Sequence, residues 1–210
     1  MIVIGSPSGS SKPNVLGDLT EARARVQVVL IGGSAGSFSV THRLLEQLPA
    51  DYRLPVVVVL HRLKDKREGF KEALQIRTRV VVEEPDDKTL VEPGKAYIAP
   101  ANYHLLFETP QQLALATTEL VQFSRPSIDV LFESAADVLG PRVLAILLSG
   151  ANRDGAAGMY RIGRRGGFLA VQDPADAAMP TMPQAALQLS KPTWTLPEYQ
   201  LAELLCGLQA

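Results

Sequence analysis

Runs of consecutive apolar residues recur along this chain, and each stops on small or polar residues. Val26–Ile31, broken only by Gln27, ends in Gly32-Gly33; Val56–Leu60 ends in His61; Val143–Leu148 ends in Ser149-Gly150. Strands buried on both faces of a sheet have this pattern, because neither row of side chains meets water. Between them the period changes. From Phe38 to Leu48 the apolar residues Val40, Leu44, Leu45 and Leu48 fall near helical spacing, and Pro49 closes the segment, which predicts a helix. Gly69–Ile76 predicts a short helix and Val80–Val82 a third strand. Ala96–Ala99, Leu105–Phe107 and Leu113–Ala116 follow as short strands, the last two joined as a hairpin across Thr109-Pro110-Gln111. Ser127 has the residue type of an N-cap, and Ile128, Leu131, Phe132 and Ala135 form the apolar stripe of a helix reaching Leu139. A helix over Gly155–Arg165, a strand over Phe168–Val171 and helices over Pro183–Ser190 and Glu198–Leu208 complete the pattern.

Strands alternating with helices imply an α/β fold: a doubly wound, mostly parallel sheet with helices on both faces and a small antiparallel hairpin. The Ser/Gly/Pro-rich stretch 5–20 marks residues 1–22 as a flexible leader or linker and 23–210 as the folded domain. Ligands of such folds bind outside the carboxyl ends of the strands.

Composition narrows the picture. A formal net charge of −1 leaves no basic field for nucleic acid or an anionic membrane surface. No apolar run approaches the roughly 20 residues that span a bilayer, and the amino terminus lacks the basic region of a signal peptide. The single cysteine, Cys206, cannot form an internal disulfide; it lies in an apolar run that predicts a buried thiol. A cytoplasmic setting, with no direct membrane insertion, fits these features. No HExxH or clustered His/Asp spacing suggests a metal.

Three residues with chemical potential follow three of the buried strands. Gly32-Gly33-Ser34-Ala35-Gly36 is a G-x-S-x-G pattern between a strand and a helix. There Ser34 could act as a nucleophile, with the amides of Ala35 and Gly36 facing a developing oxyanion. A phosphate- or nucleotide-binding turn, or a plain Gly-rich connection, fits the same five residues. His61 ends the second strand and could serve as a base, or merely cap the strand. Asp154, in Ser149-Gly150-Ala151-Asn152-Arg153-Asp154-Gly155, could orient that histidine or simply cap the next helix. Of the other histidines, His42 lies within a helix, solvated or partly packed, and His104 opens the hairpin within reach of a substrate. The order Ser, His, Asp differs from the Ser, Asp, His of α/β-hydrolases, so a standard lipase or esterase fold is not expected.

Taken together, these motifs resemble the catalytic domain of the chemotaxis receptor methylesterase, the CheB family, over about residues 26–190. Val28-Val29-Leu30-Ile31-Gly32-Gly33-Ser34 is similar to the family's opening strand and nucleophile turn, and Val59-Leu60-His61 to its strand-end histidine. Pro93-Gly94-Lys95-Ala96-Tyr97-Ile98-Ala99-Pro100 followed by His104-Leu105 is similar to the central segment. So is Arg125-Pro126-Ser127-Ile128-Asp129-Val130-Leu131-Phe132 to the family's most recognisable stretch. Leu148-Ser149-Gly150 leading to Asp154-Gly155-Ala156 and Gly158 resembles the aspartate turn, and Gln172-Asp173-Pro174 and Met182-Pro183 close the series.

The resemblance implies hydrolysis of glutamate methyl esters on the cytoplasmic helices of a methylated chemoreceptor or similar helical signalling protein. It also implies deamidation of receptor glutamines, no cofactor, and Ser34, His61 and Asp154 as nucleophile, base and orienting carboxylate. Two turns depart from the family. Ser-Thr-Gly-Gly is replaced by Ser34-Ala35-Gly36-Ser37, which removes a threonine hydroxyl beside the nucleophile. Gly-Met-Gly-x-Asp is replaced by Gly150-Ala151-Asn152-Arg153-Asp154, which puts Ala151 and Asn152 in the lining of the oxyanion and substrate site. Family members often carry an N-terminal receiver domain, and the leader is too short for one. The expectations are constitutive availability, a separate receiver-domain regulator, or a piece of a longer chain. A different class of function is a binding or scaffolding module that retains the fold without catalysis.

Overall fold

The computed structural model describes residues 15–61 and 69–209. In chain order the strands are β1 (Val28–Gly33), β2 (Val56–Leu60), β3 (Val81–Glu83), β4 (Lys95–Ile98), β5 (His104–Thr109), β6 (Gln112–Ala116), β7 (Val143–Leu147), β8 (Phe168–Gln172) and β9 (Trp194–Leu196). The helices are α1 (Val15–Arg25), α2 (Ser37–Gln47), α3 (Phe70–Gln75), α4 (Ile128–Leu139), α5 (Ala156–Arg164), α6 (Thr181–Leu189) and α7 (Glu198–Gly207), with a 3-10 turn at Gly140–Arg142.

Seven strands form one parallel sheet in the order β3-β4-β2-β1-β7-β8-β9, and β5 and β6 pair as a separate antiparallel ribbon. The doubly wound architecture expected from the alternating pattern is the one observed. Alternate residues of β1 explain why the apolar runs are continuous. Val29 and Ile31 pack against Leu44 and Leu45 of α2 and Leu201 and Leu205 of α7. Val28 and Leu30 face Ile128 and Phe132 of α4, Met159 of α5 and Leu105 of the ribbon. Every residue of β2 is buried; each such side chain contributes roughly 1.5–3 kcal/mol of gross burial. A one-residue slip in register would exchange the two packed faces, so the ends of these strands are fixed in space.

Chain order reverses at β1: on one side the chain lays down β2, then the edge strand β3, then β4 between them, and it crosses to the other side with β7. That reversal opens a crevice at the carboxyl ends of β1 and β7.

Two features differ from expectation. Part of the expected leader, from Val15, is helical: in α1, Ala22 is fully buried, and Arg23 donates to the Gly207 carbonyl at the end of α7. Its apolar residues Leu19 and Ala22 pack on the core at helical spacing, but the Ser/Gly/Pro-rich residues that precede it dominate the local composition. Residues 1–14, the remainder of the expected leader, lie outside the described residues. The edge strand β9 also went unpredicted, because three residues between Pro192 and Pro197 offer no period to read.

Candidate active site

At the end of β1 the chain reverses within three residues. The amide and the hydroxyl of Ser37 both donate to the Ser34 carbonyl, at 3.0 and 2.6 Å, and launch α2. The turn needs glycine at position 36, where φ is +82° and a Cβ would lie 2.6 Å from that of Ala178. Ser34 is half-buried and donates its amide to the Ser149 carbonyl beyond β7, at 2.9 Å. His61 donates its amide to the Gly33 carbonyl at 3.1 Å, extending the β1–β2 ladder by one step. The backbone of all three strand ends is thereby tied together.

Asp154 is fully buried, yet its carboxylate is saturated. Oδ1 accepts from Ser127 Oγ (2.9 Å), the Asp129 amide (2.9 Å) and the Gly155 amide (3.0 Å). Oδ2 accepts from the Ile128 amide (2.8 Å) and lies 2.7 Å from His61 Nε2. The first amides of α4 lack partners within their own helix and carry the positive end of its dipole. A carboxylate is their natural complement. Burial alone would raise the Asp154 pKa, but the bonds from His61 and from the Asp129 and Ile128 amides outweigh it, and the net shift is downward.

An ionised Asp154 assigns the imidazole tautomer: the proton sits on Nε2, donated to Oδ2, and the lone pair sits on Nδ1. Among the described residues, the polar side chains at Nδ1 are Ser124 Oγ at 3.3 Å and Asn152 Nδ2 at 3.5 Å. Of the three residues singled out from sequence, His61 and Asp154 therefore meet directly. Ser34 joins them through the shared backbone bonds. It also faces the following turn, since a Cβ on Gly150 would lie 3.0 Å from that of Ser34.

Comparison with known proteins decides the family. A model of the CheB methylesterase matches residues 29–205. The chain belongs to the CheB methylesterase family. A relative in Leptospira interrogans, provisionally named protein-glutamate methylesterase/protein-glutamine glutaminase, is 36% identical over 87% of this chain and 94% of its own. One in Trichodesmium erythraeum, bearing the same name without that qualifier, is 33% identical over 85% of this chain, which spans 52% of it. The crystal structure of the Thermotoga maritima CheB methylesterase catalytic domain superposes with a TM-score of 0.82 at 26% identity. It covers 87% of this chain and 98% of that one.

Within this CheB-family site the remaining expected residues divide. Ala35 and Gly36 are exposed at the amino end of α2, and the Ala35 carbonyl accepts from Ser149 Oγ at 2.7 Å. Asn152 is half-buried and turned toward His61 because its Oδ1 accepts the Asp154 amide at 3.2 Å, whereas Ala151 is exposed on the same turn. His104 makes no contact with the open site, the alternative that its loop position left open. It is fully buried, its Nδ1 accepts the Ser127 amide at 3.2 Å, and its Nε2 lies 3.0 Å from the Glu119 carbonyl. His42 bonds the Ile76 carbonyl at 2.7 Å, and Cys206 is half-buried rather than part of the core, its thiol aimed at the Gln47 carbonyl at 3.4 Å.

The sequence pattern gave no role to several residues that build the site. Ser127 was recognisable as a helix cap, but nothing local indicated that the acid it would bind lies 27 positions later. Ser149 is buried, accepts the Met179 amide (2.8 Å) and donates its own amide to Gln172 Oε1 (2.9 Å), so the strand ends of β7 and β8 are coupled. Asp129 is a second buried carboxyl that accepts the Gly158 amide at 2.7 Å. Burial pushes its pKa up to about 7; the Gly158 amide opposes the rise and the neighbouring Asp154 charge adds to it. Among the described residues no three His, Cys, Asp or Glu side chains cluster as metal ligands, and no helix is long and apolar enough to cross a membrane.

Proposed function

We propose that this protein hydrolyses glutamate methyl esters on the cytoplasmic helices of a methylated chemoreceptor or similar helical signalling protein, and deamidates receptor glutamines by the same chemistry. The observation that carries the mechanism is the 2.7 Å pairing of His61 Nε2 with a buried carboxylate held by the amino terminus of α4. It leaves Nδ1 as the base nitrogen. Ser34 Oγ attacks the ester carbonyl while Nδ1 takes its proton, and Asp154 stabilises the imidazolium. The amides of Ala35 and Gly36, with the Asn152 carboxamide, receive the oxyanion. Nδ1–H then protonates the departing methoxide, and methanol leaves. Water, deprotonated by Nδ1, attacks the acyl-Ser34 carbonyl; the acyl–Oγ bond breaks, Nδ1–H returns the proton to Ser34 Oγ, and glutamate is released. With a glutamine substrate the leaving group is ammonia. No cofactor takes part in these steps. A cytoplasmic location and control by a separate receiver-domain protein fit this function.

Methanol release from methylated chemoreceptor membranes, by wild type and by Ser34→Ala, tests it. Release by wild type alone is expected; equal release by the variant would remove Ser34 from the mechanism. A second reading, a binding module without turnover, draws on Ser124 and Asn152 standing at Nδ1 where the nucleophile must approach. It predicts no release from either protein and receptor binding that survives the substitution.

A further inference from the structure

The turn that carries Ser124 is built against ordinary preferences. Val121 and Ser124 bond each other's backbone in both directions, at 3.2 and 2.8 Å, with Gln122 and Phe123 between them. Both central residues have positive φ, +48° and +62°. Such a two-residue turn favours Asn-Gly, because side-chain-bearing residues resist the left-handed region. Here the second position holds a phenylalanine whose surface is 96% exposed. Backbone strain and an unburied aromatic ring thus coincide at one residue.

The turn is also fastened down on both sides. Ser124 Oγ reaches His61 Nδ1 at 3.3 Å. The guanidinium of Arg125 donates to the Thr117 and Thr118 carbonyls at 2.8 and 2.7 Å and to Asn102 Oδ1 at 2.8 and 3.2 Å. His104 adds the bond to the Glu119 carbonyl. Phe123 is therefore presented at a fixed place, one residue from a contact to the base nitrogen. Two further part-exposed apolar side chains, Leu120 and Tyr103, sit on the same bonded segments.

We infer that Phe123 is a docking knob for the substrate protein: its ring packs on the apolar face of the helix that carries the methyl-glutamyl group. The inference rests on the esterase function proposed above. Continuity with the site fixes the occupant, because whatever covers Phe123 must lie beside an ester bound at Ser34 and His61. An amphipathic helix offers an apolar side chain beside its modified glutamate to meet the ring, and a short ester does not.

The test compares kcat/KM on methylated chemoreceptor membranes with kcat/KM on p-nitrophenyl acetate, for wild type, Phe123→Ala and Phe123→Leu. The expected result is a fall of about tenfold or more in the receptor-to-small-ester ratio for Phe123→Ala, the size of an interface anchor, carried by KM and largely restored in Phe123→Leu. A ratio equal to that of wild type overturns the docking role. So does an equal loss on both substrates, which would mean that the turn acts through His61 alone. Wild type that hydrolyses neither substrate overturns the esterase function itself. Loss of a wild-type homodimer in Phe123→Ala at unchanged ratio would assign the ring to self-association instead.

Discussion

Replacing Asp154 by asparagine separates the two tasks that its carboxylate performs. Five donors converge on its two oxygens. An asparagine keeps one oxygen, best placed to accept from Ser127 Oγ and the Asp129 and Gly155 amides. Its NH2 group then faces the Ile128 amide and His61 Nε2. His61 can relieve its half of the conflict by carrying its proton on Nδ1 instead, but the Ile128 amide has no alternative. One buried amide left without an acceptor costs about 1–3 kcal/mol. Loss of the negative charge at the α4 terminus adds up to about 2 kcal/mol, so a destabilisation of about 1–5 kcal/mol is expected. The same tautomer change fills the lone pair that Ser34 needs. In a serine protease triad the equivalent change lowers kcat about 10⁴-fold, and a loss of about 10³–10⁴-fold is expected here. Urea unfolding at pH 7 and ester hydrolysis under conditions where the variant is folded measure the two effects. A variant within tenfold of wild-type kcat, or with an unchanged urea midpoint, would refute the account of Asp154.

Ser127→Ala removes the Oγ donor to Asp154 and the cap acceptor for the Val130 amide; about 1–2 kcal/mol of stability is expected to go, with a smaller activity loss than Asp154→Asn, read from the same two assays. In Gly155→Ala a methyl must enter at φ +90°, 2.6 Å from Leu147 Cδ1 and 2.8 Å from Ile128 Cγ2. Left-handed strain and overpacking together predict about 2–4 kcal/mol of destabilisation, and a variant as stable as wild type in urea would contradict the packing. Asp129 sets a pH dependence of definite sign. Its folded pKa, about 7, exceeds the unfolded value of about 4, so its contribution to stability is full below pH 4 and is lost as pH rises through 7. Asparagine keeps the acceptor for the Gly158 amide without the ionisation, so Asp129→Asn is expected to gain stability relative to wild type between pH 5 and pH 8. Thermal midpoints at those two values, differing from wild type by the same amount, would rule this out.

The fold and the candidate site were legible to different degrees, for physical reasons. Strands such as Val56–Leu60, buried on both faces, leave an uninterrupted apolar run, and their ends single out Ser34, His61 and, on the turn beyond β7, Asp154, while a phosphate turn or plain caps fit the same residues until the long-range bonds are seen. The capping signal of Ser127 was equally plain because a cap acts within one helical turn. What it caps for was not, because Asp154 reaches α4 from the far side of β7, and such a bond has no period. The roles of Ser124, Ser149 and His104 are likewise set by long-range bonds. His104 shows the converse hazard: its position beside a hairpin suggested access to substrate, whereas its ring is buried and supports the Ser127 amide. The serine at position 37 acts at a distance sequence does not show: its hydroxyl donates to the Ser34 carbonyl and stiffens the turn from behind.

The position of β1 between β2 and β7 also governs when the protein becomes reactive. Ser34 and His61 leave the ribosome before β7 and the aspartate beyond it, which follow on the order of a hundred residues later. At about 5–20 residues per second this is an interval of several seconds. Through that interval one side of β1 is an apolar edge awaiting its partner, a template for mispairing that favours chaperone cover. The serine meanwhile lacks the aspartate that sets its histidine. The three strand ends, and with them Ser34, His61 and Asp154, come together only when the last strand of the central trio closes the sheet.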